Sequence, residues 1–306
     1  MMIDFRTDMA DERLREYKKI RKNQIDGIES EDLNINGKMH LTKVKILNEI
    51  GKEKLGKEIG TYITLEVKDI EVIDENELEN ISYILSKQLL ELTKDYNSIL
   101  VVGLGNIDTT VDSIGPKVIK ELKITRHIKR LEPSLIDKNA KEISGIYPGV
   151  LGTTGMETQE IIKGIVDKIK PDAIIAIDAL ISRDISRLFK TIQISNTGIT
   201  PGAGVGNSRK EISKNTMGVP VIAIGVPTLV EAATIVADSI DIIANQFEEF
   251  KELKEASKED KYRLIKAILE PSKFNLAVTP KEVDDLVDNM KEIIAHGINK
   301  AVGQSI

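Results

Sequence analysis

The stretch SILVVGLGN, residues 98–106, is a continuous apolar run that ends in glycines. Two more runs have the same character, DAIIAID at 172–178 and PVIAIGVP at 220–227. Apolar runs without polar alternation are typical of central strands that are buried on both faces of a sheet. Amphipathic segments separate these strands and predict helices at roughly 116–123, 157–169 and 229–247. The alternation predicts an α/β fold with helices on both faces of an open sheet.

Other patterns flank this core. Within 41–70, LTKVKILNEI and GTYITLEVKDI alternate apolar and polar residues and predict half-buried antiparallel strands. RLFKTIQIS, at 187–195, predicts a further strand, so we expect a mixed, mostly parallel sheet in a three-layer α/β/α arrangement. Helices are predicted at 75–95, in the charged stretch 248–269, and after Thr279 and Pro280. The expected organisation is an α/β core at 97–250 and a helical C-terminal part at 251–306.

Composition excludes several classes of function. Cysteine is absent from the 306 residues, which excludes a thiolate nucleophile, a disulfide framework and a thiolate zinc site. The net charge is −6 and no basic cluster stands out, which argues against nucleic acid as a partner. No apolar run approaches the ~20 residues that span a bilayer, and no secretory signal is expected. The sequence therefore predicts a cytoplasmic protein without a membrane partner.

Three near-matches to ligand motifs are weak. GKEKLGKE, at 51–58, lacks the hydroxyl of a phosphate loop because Glu58 stands there, so a solvated turn between two strands is expected. GLGN, at 103–106, lacks the third glycine of a dinucleotide motif, where Asp108 stands instead. The histidines are isolated at His40, His127 and His296. We expect neither a cofactor nor a metal site.

The carboxylates are the stronger candidates for chemistry. Asp112 lies in the loop after the first buried strand, and Asp178 ends the second. In an open α/β sheet ligands bind at the carboxyl edge of the strands, so both acids should reach one rim. Two acids in one pocket can share a proton and act as general base and general acid. Alternatively, Asp112 is a helix cap and Asp178 bonds backbone amides, and Asp108 competes with Asp112 for the first role.

A glycine-rich segment, SNTGITPGAGVGNSRKEIS at 195–213, follows the predicted strand at 187–195. Glycines such as Gly202 and Gly204 let the backbone of a ligand approach closely. Arg209, at the end of this segment, could meet an acidic group of a substrate, and Arg183 is the second candidate for that role. The alternative is an ordinary surface loop.

Long motifs, in order along nearly the whole chain, resemble the spore germination protease family. They are VVGLGN…DSIGPKV, ITRH, YPGVLGTTGMET, PDAIIAIDAL, TIQISNTGITPGAGVGN, GVPVIAIGVPT and NLAVTPKEVD. The resemblance implies an atypical aspartic-type endopeptidase, made as a tetrameric zymogen, with a fold similar to the hydrogenase maturation proteases. It implies that the substrates are the small acid-soluble proteins of the spore and that the enzyme works in the forespore and spore core.

The resemblance also assigns roles to residues. It places the catalytic acids at Asp112 and Asp178 and gives no support to Asp108. Such enzymes cut after an acid, before an apolar residue and alanine, and RTDMADE at 6–12 looks like that target. The implied cut between Asp8 and Met9 makes residues 1–8 a propeptide and residues 9–306 the protease. This stretch lies near the terminus, where we expect flexibility rather than core packing.

One alternative is a module of the same fold that binds a peptide or assists maturation without catalysis. Retention of both Asp112 and Asp178 favours the enzyme, because an inactive relative would be expected to lose at least one of them.

Overall fold

The computed structural model describes residues 7–20, 25–201, 210–247 and 276–303, together with Asp260, Ile265 and Leu269. Gly202, Gly204 and Arg209 therefore lie outside the described residues, as does most of the charged helix predicted at 248–269.

Within that part of the chain the strands form one mixed sheet. Its nine strands are β1 Ile28–Ile35, β2 Met39–Ile46, β3 Gly60–Val67, β4 Ser98–Gly103, β5 Glu142–Ile146, β6 Ala173–Ser182, β7 Thr191–Ser195, β8 Val221–Glu231 and β9 Ala277–Val278. Their order is β1-β2-β3-β7-β8-β6-β4-β5, with β9 added beside β8. Strands β8, β6, β4 and β5 are parallel, and every other pair is antiparallel.

Helices cover both faces of the sheet. They are α1 Ala10–Ile20, α2 Glu49–Leu55, α3 Glu75–Thr93, α4 Ile114–Glu121, α5 Arg126–Leu131, α6 Leu151–Thr154, α7 Thr158–Ile169, α8 Lys214–Met217, α9 Ala232–Gln246 and α10 Val283–Ala301. Because side chains alternate along a strand, Ile99 and Val101 of β4 join the core under α3, α4 and α10. Leu100 and Val102 join the core under α7. The predicted three-layer α/β/α arrangement is confirmed.

Several details differ from the sequence-based expectations. Parallel pairing is confined to four strands, because β3 pairs with β7 and brings β1–β3 into the same sheet. The segment expected to be a turn contains α2, which Asn48 caps by accepting from the amide of Gly51. The last helix begins at Val283, later than Thr279 and Pro280 suggested. Strands β1 and β5 were not predicted, because β1 has six consecutive exposed residues and β5 is a short strand whose apolar residues are separated by Ser144 and Gly145.

Among the described residues, no helix is long and apolar enough to cross a membrane.

Candidate active site

A cleft of about 500 Å³ opens beside the carboxyl ends of β4 and β6. Asp112 and Asp178 both line it, together with the shoulder Thr197–Pro201 of the glycine-rich segment. The structure therefore brings the two acids to one rim, as strand-edge reasoning predicted. Asp108 is exposed and is not among the residues that line the cleft. The catalytic role of the two acids stays a prediction.

The loop after β4 positions Asp112. Gly105 has φ 106°, and a Cβ there would collide with the backbone oxygen of Asp112, so glycine is required. The amide of Asn106 donates to Oδ2 of Asp112 at 2.8 Å and closes the loop. Asp112 is not the cap of α4: that position belongs to Ser113, whose side chain makes no capping bond. The alternative of a helix cap is therefore wrong for Asp112.

The sheet itself holds Asp178. It lies within β6, which continues to Ser182 instead of ending at Asp178, and its side chain is only 5% exposed. Its Oδ1 accepts from the amide of Ala179 at 3.0 Å, the kind of backbone bond that the non-catalytic alternative required. Asp178 pairs in register with Gly225 of β8, which in turn pairs with Gln193 of β7. Residues in register point to the same face, so Asp178 and Gln193 lie on one face of the sheet.

The N-terminal segment, Thr7–Glu12, is docked in this cleft. Asp8 lines the cleft, and its amide donates to the oxygen of Ile181 at 3.1 Å. The amide of Ile181 donates back to Oδ2 of Asp8 at 3.1 Å. Met9 and Ala10 are fully buried, so the expected flexibility of this stretch is wrong. Backbone pairing with the end of β6 gives the segment a fixed place, which proximity to the terminus did not suggest.

Two side chains bind the carbonyl oxygen between Asp8 and Met9. Nζ of Lys57 donates to it at 2.9 Å, and Nε2 of Gln193 donates to it at 3.1 Å. Oε1 of Gln193 also accepts from the amide of Ala10 at 2.7 Å, so one side-chain amide spans the Asp8–Met9 bond. The amide of Met9 donates to Oγ1 of Thr7 at 3.1 Å. The expected cleavage bond is thus held by named donors and acceptors on both sides.

A buried arginine binds the acids that follow this bond. Arg187 is 4% exposed and contacts carboxylate oxygens of Asp11 at 2.8 Å, Glu12 at 3.2 Å and Glu66 of β3 at 2.9 Å. Burial by itself acts to lower the pKa of Arg187, but the three carboxylates outweigh it and raise that pKa. Glu12 also accepts from Oγ of Ser182 at 2.6 Å. The cluster fixes the start of α1 against the sheet.

Arg209 and Arg183 are the predicted readers of an acidic substrate residue. The guanidinium of Arg183 faces α9, where Nη2 lies 3.2 Å from Oδ1 of Asp238. Arg209, Gly202 and Gly204 are outside the described residues, and their roles stay predictions. Among the described contacts, the amide of Ile181 is the donor to the Asp8 carboxylate.

Tyr62 of β3 also lines the cleft. Burial raises the pKa of Tyr62 to about 12, and its hydroxyl donates to the oxygen of Glu58 at 2.9 Å. It is therefore a neutral phenol near pH 7 and does not act as a base there. In the part of the chain that the structure describes, no group of three or more histidine, aspartate or glutamate residues is arranged to hold a metal ion.

The strand edge of this α/β sheet holds a peptide bond in a cleft lined by two aspartates, which is the arrangement expected of a protein that cleaves peptides. The family model of the germination protease matches residues 5–260 and 253–306, so the chain belongs to the germination protease family. The predicted family is confirmed, and the chain is an endopeptidase of germination.

Similar proteins support membership of the germination protease family over most of the chain. It is 48% identical to the germination protease of Clostridium tetani, covering 97% of this chain and 95% of that protein. It is 45% identical to that of Clostridium perfringens strain SM101, covering 98% and 96%, and 41% identical to that of Bacillus mycoides, covering 87% and 84%.

Among solved structures, the [NiFe] hydrogenase maturation protease HycI from Thermococcus kodakarensis matches with 17% identity and a TM-score of 0.30, over 61% of this chain and 99% of that one. A likeness this weak carries no argument, and the fold class rests on the strand order.

Sequence reasoning missed three residues at the site. Gln193 had a usable signal, because Thr191, Gln193 and Ser195 give the short strand β7 a polar face although all three are buried. Lys57 had only the weak match of GKEKLGKE to a phosphate loop, and a lysine after a glycine is typical of a surface turn. No sequence signal pointed to Arg187, because its partners lie far away along the chain, in α1 and β3.

Proposed function

We propose that this chain is a self-activating, aspartic-type endopeptidase that is made as a zymogen. It cuts itself between Asp8 and Met9, and cuts its substrates after Asp or Glu when an apolar residue and alanine follow. The observation that supports this most is the Asp8–Met9 bond seated in the cleft that Asp112 and Asp178 line.

The two acids divide the proton transfers. One carboxylate takes a proton from a water molecule as the water oxygen bonds to the carbonyl carbon of Asp8. The other acid, protonated at the start, gives its proton to the nitrogen of Met9 as the C–N bond breaks. The products are a free carboxyl group on Asp8 and a free amine on Met9. The dyad is then again singly protonated, with the roles of the two acids exchanged, and transfer of that one proton between them restores the starting state.

The contacts of the N-terminal segment account for the proposed sequence preference. The acid before the bond accepts from the amide of Ile181. The apolar residue and the alanine after the bond are Met9 and Ala10, both fully buried, so bulk or charge at either place would be costly. The acids that follow meet Arg187. A substrate with the same order of residues can occupy these places once Met9–Glu12 have withdrawn.

The small acid-soluble proteins of the spore are the proposed substrates, and the cytoplasm of the forespore and spore core is the proposed place of action. We further propose a homotetramer that needs no cofactor, does not bind nucleic acid directly and has no membrane partner.

Digestion of a small acid-soluble spore protein tests this function. The 306-residue chain is first incubated at mildly acidic pH, then mixed with the substrate at the same pH, and the fragments are identified by mass spectrometry. We expect breaks after Asp or Glu that precede an apolar residue and alanine. A substrate with Gln in place of that acid is the control and should resist.

Two outcomes would contradict the proposal. Binding of the substrate without any cleavage would favour the peptide-binding module of the same fold. Loss of cleavage with a chelator, restored by zinc, would replace the carboxylate mechanism with metal catalysis.

A further inference from the structure

We propose that Lys57 and Gln193 are catalytic residues that polarise the carbonyl group of the bond to be cut and hold its oxygen as negative charge develops there. The inference rests on the proposed function, because it takes Asp8–Met9 as that bond. Neither residue was expected at the site, and both contact the same oxygen atom.

The contact geometry is that of an oxyanion site. Nζ of Lys57 and Nε2 of Gln193 lie 2.9 and 3.1 Å from the carbonyl oxygen of Asp8. Effective oxyanion donors lie about 2.7–3.1 Å from the place that this oxygen takes in the tetrahedral intermediate, and both donors already bond to it in the uncleaved peptide. When water adds to the carbonyl carbon, this oxygen gains negative charge, and hydrogen bonds to an ionised group are about twice as strong as neutral ones. Both contacts therefore strengthen in the transition state, which is the requirement for catalysis rather than mere binding.

The sheet holds Gln193 rigidly across from the acid. Thr64 of β3, Gln193 of β7, Gly225 of β8 and Asp178 of β6 form one row of in-register residues across four strands. Side chains in such a row share a face. Gln193 and Asp178 are two strands apart, so their backbones are separated by about 10 Å. Gly225 between them carries no side chain, and the side chain of Leu180 fills the place that a Cβ of residue 225 would take.

The path of the peptide agrees with this row. Asp8 bonds to β6 and to Gln193, Ala10 bonds to Gln193, and Oγ1 of Thr64 donates to Oδ1 of Asp11 at 3.3 Å. The segment thus contacts β6, β7 and β3, and Glu12 returns to the end of β6, where Oγ of Ser182 donates to it. Asp8 and Asp178 line the same cleft, so the bond that Lys57 and Gln193 hold lies in the cleft of the proposed catalytic acid.

Lys57 reaches the oxygen from outside the sheet. Gly56 ends α2 in the left-handed conformation, with φ 62°, and turns the chain so that Lys57 follows it directly into the cleft lining. A rival explanation is that Lys57 and Gln193 only anchor the N-terminal segment. The two explanations predict different kinetics. An anchor stabilises the ground state and the transition state alike, so its loss raises KM. An oxyanion donor stabilises mainly the transition state, so its loss lowers kcat.

Three variants separate these roles. Lys57→Met removes the cation with little change of volume. Gln193→Glu keeps the acceptor for the amide of Ala10 but puts a carboxylate against the Asp8 oxygen. Lys54→Met is the matched control, because Lys54 lies on α2 and its Nζ donates elsewhere, to the oxygen of Asp26 at 3.2 Å. Circular dichroism checks that each variant is folded. Lys57 lies outside the strands, so its substitution should leave the sheet unchanged.

The readouts are the rate at which residues 1–8 are lost, by intact mass, and kcat and KM on a peptide that contains RTDMADE. We expect Lys57→Met and Gln193→Glu each to lower the self-cleavage rate and kcat by about 100-fold or more, with KM little changed. Lys54→Met should match the original protein. Lys57→Arg should recover part of the rate, because it restores a cation.

Unchanged rates in both Lys57→Met and Gln193→Glu, while Asp178→Asn abolishes cleavage, would overturn the oxyanion pair and leave the proposed function intact. A raised KM with unchanged kcat would reduce the two residues to anchors and overturn the inference as well. Normal cleavage by Asp178→Asn would remove both proposals together.

Discussion

Asp178→Asn is expected to stop the loss of residues 1–8, and Asp112→Asn is expected to do the same. Each change keeps the shape of the side chain but removes one of two acids that depend on each other. Removal of one member of such a catalytic group costs about 10⁴-fold or more in rate. The measurement is a time course of intact mass at mildly acidic pH, with a thermal unfolding scan to show that both variants are folded.

Asp108→Asn is the matched control for this pair. Asp108 lies on the same loop as Asp112, yet it is exposed and does not line the cleft. Its variant should lose residues 1–8 at the rate of the original protein. If Asp112→Asn or Asp178→Asn also kept that rate, the aspartic mechanism would be refuted.

Arg187→Met is expected to release the N-terminal segment and to destabilise the protein. Without the cation, carboxylates of Asp11, Glu12 and Glu66 are left without their shared partner, and breaking a buried ion pair costs about 3–5 kcal/mol. Asp11 and Glu12 can escape this cost by leaving the cleft, so part of the loss should appear as detachment of α1. Urea unfolding gives the free energy, and limited proteolysis within residues 10–20 reports the detachment.

Arg130→Met is the control for Arg187. Arg130 pairs with Glu142 at 3.1 Å, but its side chain is 51% exposed. An exposed pair contributes about 0–1 kcal/mol, so this variant should be close to the original protein in both assays. Equal effects of the two substitutions would mean that the Arg187 cluster does not hold the N-terminal segment.

The central strands could be predicted because their signal is local. The apolar runs around Val101, Ile175 and Ile222 need no knowledge of partners, and they became β4, β6 and β8. Strand β1 lacked such a signal, because it is an edge strand with six consecutive exposed residues. The extent of antiparallel pairing was also hidden, since it depends on β3 finding β7 more than a hundred residues later.

The residues of the site also divide into those that could be predicted from the sequence and those that could not. Asp112 and Asp178 follow from the rule that ligands meet the carboxyl edge of the strands, which needs only the strand assignments. Lys57 and Gln193 contact Asp8 across separations of 49 and 185 residues. Those contacts arise only when the N-terminal segment docks, and docking depends on the backbone of Ile181, whose side chain carries no such information. The sequence of the N-terminal segment resembled a cleavage site, but it did not indicate where the segment binds.

Sequencing the N-terminus of the chain after incubation without any added protease tests self-cleavage most directly. A dyad that shares one proton works when one of its acids is protonated, so we expect the precursor to be stable near neutral pH and to react when mildly acidified. The mature protein should begin at Met9, and Asp8→Ala should block or misplace the cut. A mature chain that begins elsewhere, or a cut at Met9 that persists in Asp112→Asn, would contradict self-cleavage in this cleft.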